Sequence, residues 1–252
     1  MGCVYTSGAL TTEGFAHENY NYRVLAAEDG ILDSQWRVDN FKVDRGKATQ
    51  KTSDAFVSTF SLDTNGDGDP DRTVREPTYD LRFKHRERNG VIWLRTFPIS
   101  TDLRRKELRV LMQSYVDAIA GAGYEDVGLD DPEIIERRFA AEMLERGEAT
   151  LAARPAYLAT IDVANVDQIR VTPSSRATRV RLIMVRTDFI YVTPLMKSKK
   201  YPVLMMAGYS NLPEDFEKDL PSFDRFLGEI AITGQRGWSV ARASRGTPPS
   251  CS

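Results

Sequence analysis

Alternation of apolar and polar positions is clearest between residues 79 and 120, where it predicts a hairpin followed by a helix. Residues 79–85 place their apolar side chains on every second position, which is typical of an antiparallel strand with one buried face. Asn89-Gly90 is a strong hairpin signal, and residues 91–99 are apolar on both faces, as in a central strand. Apolar residues at helical spacing then predict a helix over residues 100–120. We expect this hairpin and helix to be the structural centre of the chain.

Shorter alternating runs predict strands on both sides of this centre. Residues 42–54 are polar and are predicted to form a loop. The further predicted strands are residues 20–24, 36–41, 55–62, 157–163, 168–172, 178–186, 189–193 and 202–209.

Two more helices are predicted downstream. One begins at Pro132, a residue favoured at the first helical position, and ends near Gly147. The other spans residues 213–232 and is interrupted at Pro221. The buried side of the first would carry Ile134, Ile135, Phe139, Met143 and Leu144. The order of elements predicts an α+β fold in which an antiparallel β-sheet packs against helices.

Length and charge limit the organisation and the class of partner. The 252 residues fit one domain over residues 15–235, with a flexible tether at 1–14 and a flexible tail at 236–252. A formal net charge of −2 argues against a protein that mainly neutralises phosphates, so nucleic acid is not expected as a partner.

The two cysteines, Cys3 and Cys251, lie near opposite ends of the chain. Gly2-Cys3 resembles the end of a bacterial lipobox, in which the cysteine becomes the site of lipid attachment. That interpretation predicts a bacterial cell envelope protein, on the periplasmic side or the surface, held at the membrane through a lipid anchor only. The myristoylation pattern Met-Gly-x-x-x-Ser/Thr also fits residues 1–6, and a chance match is the third interpretation.

An acidic run at residues 63–71 is the densest chemical signal in the chain. Oxygen-bearing side chains occupy alternate positions: Asp63, Asn65, Asp67, Asp69 and Asp71. Calcium takes six to eight oxygen ligands on a sharply turning loop, and Gly68 stands where such a loop turns. The run resembles the DxNGDGxxD calcium loops of dockerin and thrombospondin type 3 repeats. It departs from them at Val74, where a bidentate Glu is usual, and at Pro70. A solvated acidic turn is the alternative.

No GxSxG, HExxH, P-loop or GxGxxG motif is found. His85, near Arg86 and Glu87, would be the general base of a hydrolase if it worked with nearby carboxylates. The alternative is a partly buried histidine with a structural role.

Basic residues form three groups that would bind an anion, an acidic partner or single-stranded nucleic acid if their faces coincide. If the faces do not coincide, these residues form solvated surfaces balanced by Asp and Glu. The groups are Arg82, Lys84 and Arg86; Arg104, Arg105, Lys106 and Arg109; and Arg179 and Arg181.

Four segments, YNYRVL, DLRFKH, GVIWLRTF and YPVLMMAGYSNLPEDFEKDLPSFDRFLGEI, resemble PsbP-like lipoproteins of bacterial envelopes. The resemblance implies an α/β/α sandwich in which an opening strand and a closing Phe-rich helix bracket one antiparallel sheet. It also implies accessory or binding roles and no catalytic residue. We therefore expect a non-enzymatic envelope lipoprotein with a calcium-stabilised loop, which binds another envelope protein or a surface component.

Overall fold

The structure is a computed structural model that describes residues 2–5, 8–17, 20–27, 30–44, 47–51, 57–62, 72–99, 103–121, 141–163, 178–192 and 198–232. Its helices are α1 (Leu108–Gly121) and α2 (Pro213–Gly228), and a 3₁₀ turn at Leu103–Arg105 precedes α1. The strands are β1 (Gly2–Tyr5), β2 (Ala9–Thr11), β3 (Gly14–His17), β4 (Tyr22–Leu25), β5 (Trp36–Val38), β6 (Phe41–Asp44), β7 (Lys47–Gln50), β8 (Val57–Leu62), β9 (Arg72–Pro77), β10 (Leu81–His85), β11 (Val91–Pro98), β12 (Ala141–Leu151), β13 (Arg154–Val163), β14 (Thr178–Val192), β15 (Ser198–Asn211) and β16 (Ile230–Ile232).

Seven strands form the central sheet in the order β12-β13-β14-β15-β11-β10-β5, and every neighbouring pair is antiparallel. The predicted hairpin is confirmed, with Leu81 opposite Leu94 and Lys84 opposite Val91. β15 pairs with β11 on one side and with β14 on the other, so the hairpin lies next to the longest strands of the sheet.

The two faces of the central sheet pack against different elements. On one face, Phe83, Leu94 and Met205 share a buried cluster with α2 and with the four-stranded sheet β16-β4-β3-β2. On the other face, Trp93 and Met206 pack against α1. The result is an antiparallel sheet between two helical layers, which confirms the predicted α+β fold with its α/β/α layering.

α2 continues through Pro221 rather than breaking there. An interior proline costs about 3 kcal/mol because it removes a hydrogen bond and crowds the preceding turn. Burying one phenylalanine stabilises by about 1.5–3 kcal/mol, and Phe216, Phe223 and Phe226 are all fully buried on the inner side. Pro221 lies on the exposed side. Packing therefore outweighs the local preference, and Ile230 belongs to β16 instead of the helix.

Residues 141–147, predicted to end a helix, belong to strand β12. β12 pairs with β13 along its whole length, and a bulge between Met143 and Glu145 shifts the register. Leu144 is the extra, unpaired residue of this bulge, so two apolar residues, Met143 and Leu144, follow each other in the sequence. They interrupt the two-residue period of the strand, and the sequence of the segment alone therefore looks helical. The predicted start of this helix at Pro132 lies outside the described residues.

Several boundaries differ from the predictions. Residues 9–11, assigned to the tether, form β2, and residues 42–54, assigned to a loop, contain much of the β6–β7 hairpin. β14 is one strand where two were predicted, and α1 begins at Leu108 rather than near residue 100. The predicted strand 168–172 and the tail 236–252 lie outside the described residues. Among the described helices, none is both long enough and apolar enough to cross a membrane.

Candidate functional site

The predicted calcium ligands lie outside the described residues, but the strands that flank them are described. Leu62 at the end of β8 pairs with Arg72 at the start of β9 in antiparallel register, so residues 63–71 connect the two strands of a hairpin. β1 lies parallel to β9 on its other side, and Cys3 pairs with Thr73. The backbone therefore brings the predicted lipid-attachment residue next to the end of the acidic run.

His85 holds the turn of the central hairpin. Its Nδ1 accepts hydrogen bonds from the backbone N–H groups of Glu87 (3.1 Å) and Arg88 (3.0 Å). The ring therefore carries its proton on Nε2, which lies 3.2 Å from Gln35 Oε1. Trp36 packs edge-on against the buried ring. Both ring nitrogens thus have partners, as the structural interpretation of this histidine predicts.

A buried carboxylate on α2 completes this arrangement. Asp219 accepts hydrogen bonds from Asn211 Nδ2 (2.8 Å) and Arg88 Nε (2.9 Å), and a second bond from the same guanidinium. His85 Nε2 lies 3.9 Å from Asp219 Oδ1. A buried charge is tolerated when it is paired and hydrogen-bonded. These bonds fix the hairpin turn to helix α2.

A second buried polar group surrounds Asp80, where Tyr22 donates a 2.6 Å hydrogen bond to Asp80 Oδ2. Burial raises the pKa of the Asp80 carboxyl to about 7, because the charged form loses its hydration. Burial lowers the pKa of His17, stacked on Tyr20, to about 3. Tyr22 belongs to the buried cluster between the central and the four-stranded sheets, and Asp80 and His17 are buried as well.

The three basic groups do not form one surface. Arg82 pairs across the sheet with Trp93, Trp93 with Gly208 and Gly208 with Leu182, so these residues share one face. Arg181, next to Leu182, therefore lies on the opposite face.

Most of the described arginines in these groups also have acidic partners. Arg82 binds Asp39, Arg179 binds Asp162 through two nitrogens, and Arg181 binds Glu145. This arrangement fits the prediction of balanced, solvated faces better than that of a nucleic-acid surface.

A groove lies between α1 and the β12–β13 hairpin. Its volume is about 360 Å³, near the lower end of the 300–1,000 Å³ typical of ligand pockets. We call it the α1–β12 groove, and it is lined by Arg109, Val110, Met112, Gln113, Ser114, Met143, Arg146 and Tyr157.

Sequence reasoning assigned Arg109 to a basic group and missed the rest of the groove. The groove forms only because residues 141–147 belong to a strand whose Met143 and Arg146 face α1, and these residues were predicted to be helical. The only local signal was Val110, an apolar residue beside the predicted apolar stripe of α1.

No group of three or more His, Cys, Asp or Glu side chains in the described part of the chain is arranged to hold a metal ion. The predicted calcium ligands are not among those residues, so the calcium site stays a prediction.

Comparison with known proteins gave no match to a family model or to a curated protein. Among solved structures, the chain is similar to cyanobacterial PsbP from Synechocystis, with 10% identity and a TM-score of 0.45, over 90% of this chain and 95% of that one. It is also similar to LpqN, which is involved in cell envelope biogenesis of Mycobacterium tuberculosis, with 8% identity and a TM-score of 0.35, over 84% of this chain and 83% of that one. At such TM-scores these similarities support no conclusion about function. The structural neighbours thus include a PsbP, the type of protein that the sequence resembles, and a protein involved in cell envelope biogenesis.

Proposed function

We propose that this protein is a non-enzymatic binding module of the bacterial cell envelope, anchored through a lipid on Cys3, that joins a protein assembly through its α1–β12 groove. A calcium-stabilised loop at residues 63–71 belongs to the same proposal. The envelope location rests on the Gly2-Cys3 pattern in the sequence.

The residue types that line the α1–β12 groove are the observation that supports the proposed binding role. Protein interfaces are enriched in Arg, Tyr and Met and depleted in Lys, Asp, Glu and Ser. Arg109, Arg146, Tyr157, Met112 and Met143 line the groove, and Ser114 is the one residue of a depleted type among its described lining residues.

The hydrolase alternative receives no support from the surroundings of His85. A general base needs a ring nitrogen within reach of substrate. Nδ1 of His85 already accepts two backbone hydrogen bonds, Nε2 faces Gln35, and the ring is buried. His17 is buried too, and the lowered pKa of its ring leaves it neutral at physiological pH.

Photo-crosslinking tests the binding role. A photoreactive amino acid replaces Val110, which is 38% exposed at the groove, and in a control variant it replaces Val43, which is 63% exposed in β6. In living cells we expect a discrete protein adduct from position 110 and none of the same mass from position 43. Identical adducts, or none from position 110, would contradict the proposal.

Metabolic lipid labelling tests the anchor. The full-length precursor should incorporate a labelled fatty acid, Cys3→Ser should abolish the label, and Cys251→Ser should leave it unchanged. Label that persists in Cys3→Ser, or its absence from the natural protein, rejects attachment at Cys3.

A further inference from the structure

We propose that the partner presents an acidic segment to the α1–β12 groove, with a carboxylate next to a large apolar side chain. This inference rests on the proposed function and deepens it, because it names the chemistry that the groove would recognise.

The charges of the groove favour a carboxylate. Arg146 has no ion pair among the described residues, and it lies on the same face of the sheet as Met143 and Tyr157. Among the described residues, Arg109 is paired only with Glu107, at 2.5 Å, and both side chains are about two-thirds exposed (67% and 68%). Such exposed pairs contribute little, so a partner carboxylate can take the place of Glu107. An arginine also binds a carboxylate through two parallel hydrogen bonds.

The apolar surface of the groove favours a neighbouring hydrophobic side chain. Met112 is buried at its floor, and Val110 is 38% exposed at its rim. Val110 is one of only four large hydrophobic side chains that are exposed in the described part of the chain. Methionine side chains adapt their shape to a partner, so the floor can accept an aliphatic or aromatic residue.

The edge of the sheet argues against the other simple mode of binding, in which the partner adds a strand to β12. β12 is one of the two edge strands of the central sheet among the described strands, and it carries a bulge between Met143 and Glu145. It also carries four charged side chains: Glu142, Glu145, Arg146 and Glu148. Bulges and charges on an edge oppose strand addition. Recognition through side chains in the groove is therefore favoured over extension of the sheet.

Synthetic peptides test the proposal by fluorescence anisotropy with the folded full-length chain. The first probe is a labelled 12-residue peptide with alternating Glu and Leu at its centre. A second peptide has Gln in place of Glu, a third has Lys, and a fourth keeps Glu but has Ser in place of Leu. We expect the first to bind at least about tenfold more tightly than each of the others, because charged hydrogen bonds and apolar contact are both required.

Matched variants locate the binding site. Arg146→Gln should weaken binding of the first peptide about tenfold, and Arg146→Lys should weaken it less because the charge remains. Lys84 serves as the control, because it is an exposed cation on the same face of the sheet but lies on β10, five strands away from β12. Lys84→Gln should leave binding unchanged. Thermal melts of each variant confirm that it is folded.

Four outcomes would overturn the inference: no binding of the first peptide, equal or tighter binding of the Gln or Lys peptide, equal binding of the Ser peptide, or equal losses for Arg146→Gln and Lys84→Gln. If the crosslink from position 110 forms nevertheless, the binding role stands and only the partner chemistry is wrong. If neither is seen, both proposals fail.

Discussion

Single polar residues in the interior carry much of the specificity of this fold. The Asp80 carboxyl and the His17 ring are both buried. Burial raises the pKa of Asp80 and lowers the pKa of His17, so stability depends on pH in opposite directions for the two groups. His85 acts differently, since its ring replaces a missing backbone acceptor in a hairpin turn. At this scale, alternation predicted that His85 points inward, but no sequence pattern predicted the partners of any of the three residues.

Asp80→Asn should reduce the loss of stability at high pH. The folded-state pKa of Asp80 is about 7, above the value of roughly 3.9 in unfolded chains. Folding therefore takes up a proton, and stability falls as pH rises from about 4 to 7. The variant should be more stable than the natural protein at pH 8, by about 3–5 kcal/mol, with the advantage vanishing near pH 4.

Urea unfolding at several pH values checks this expectation. The lowered pKa of His17 gives the opposite slope between about pH 3 and 6.5, where stability rises with pH. The difference between the two proteins is therefore the diagnostic quantity, since His17 is common to both. Parallel pH profiles would show that Asp80 does not titrate in this range.

His85→Ala should destabilise the protein by about 2–4 kcal/mol, because two backbone N–H groups of the turn lose their acceptor. His85→Asn keeps an acceptor oxygen close to the position of Nδ1, so we expect a loss about half as large. Denaturant unfolding measures both. Equal losses for Ala and Asn would mean that ring packing against Trp36, rather than the hydrogen bonds, gives His85 its effect.

At the scale of elements, the β12–β13 hairpin decides where the α1–β12 groove lies. Its two-residue turn is formed by Ala152 and Ala153, with φ of 49° and 58°. The left-handed region disfavours alanine and favours Asn and Gly. The sequence therefore gives no turn signal at this position, and together with the bulge after Met143 this explains why the strand was predicted to be helical.

Replacing Ala152-Ala153 by Asn-Gly should stabilise the protein by about 1–2 kcal/mol, since both positions then suit a type I′ turn. Ala149→Gly, in the strand before the turn, serves as the control and should destabilise by about 0.5–1 kcal/mol. Thermal melts compare the variants. A destabilised Asn-Gly protein would indicate that the turn does not have this conformation in solution.

At the scale of the whole molecule, the three-stranded sheet β1-β9-β8 brings the proposed lipid anchor close to the ends of the proposed calcium loop. β1 carries Cys3, and residues 63–71 connect β8 to β9. The parallel pairing of β1 with β9 brings these sequence-distant features together, and neither could be placed next to the other from the sequence. Ion binding to the loop would therefore stabilise the hairpin beside the proposed anchor.

Calcium should raise the melting temperature relative to a chelator, because a ligand that binds only the folded state stabilises it. At ten to a hundred times the dissociation constant the gain is about 1–3 kcal/mol, or several degrees for a chain of this length. The double variant Asp67→Asn/Asp69→Asn should lose the response, and Asp224→Asn, an exposed acid on α2, should keep it. Coinciding melts of the natural protein with and without calcium would reject a site occupied at that concentration.

The sequence by itself determined the local elements: the hairpin of Leu81–His85 and Val91–Pro98, the closing helix with its buried phenylalanines, and the antiparallel α+β class. These follow from periodicity, since a strand or helix with one buried face must repeat its apolar residues at a fixed spacing. Tertiary structure alone decided that Arg82 and Arg181 lie on opposite faces, that His85 has no free nitrogen, and that Arg146 meets Arg109 across a groove. Those outcomes depend on register and on which element covers each face, and contacts between residues far apart in the chain set both.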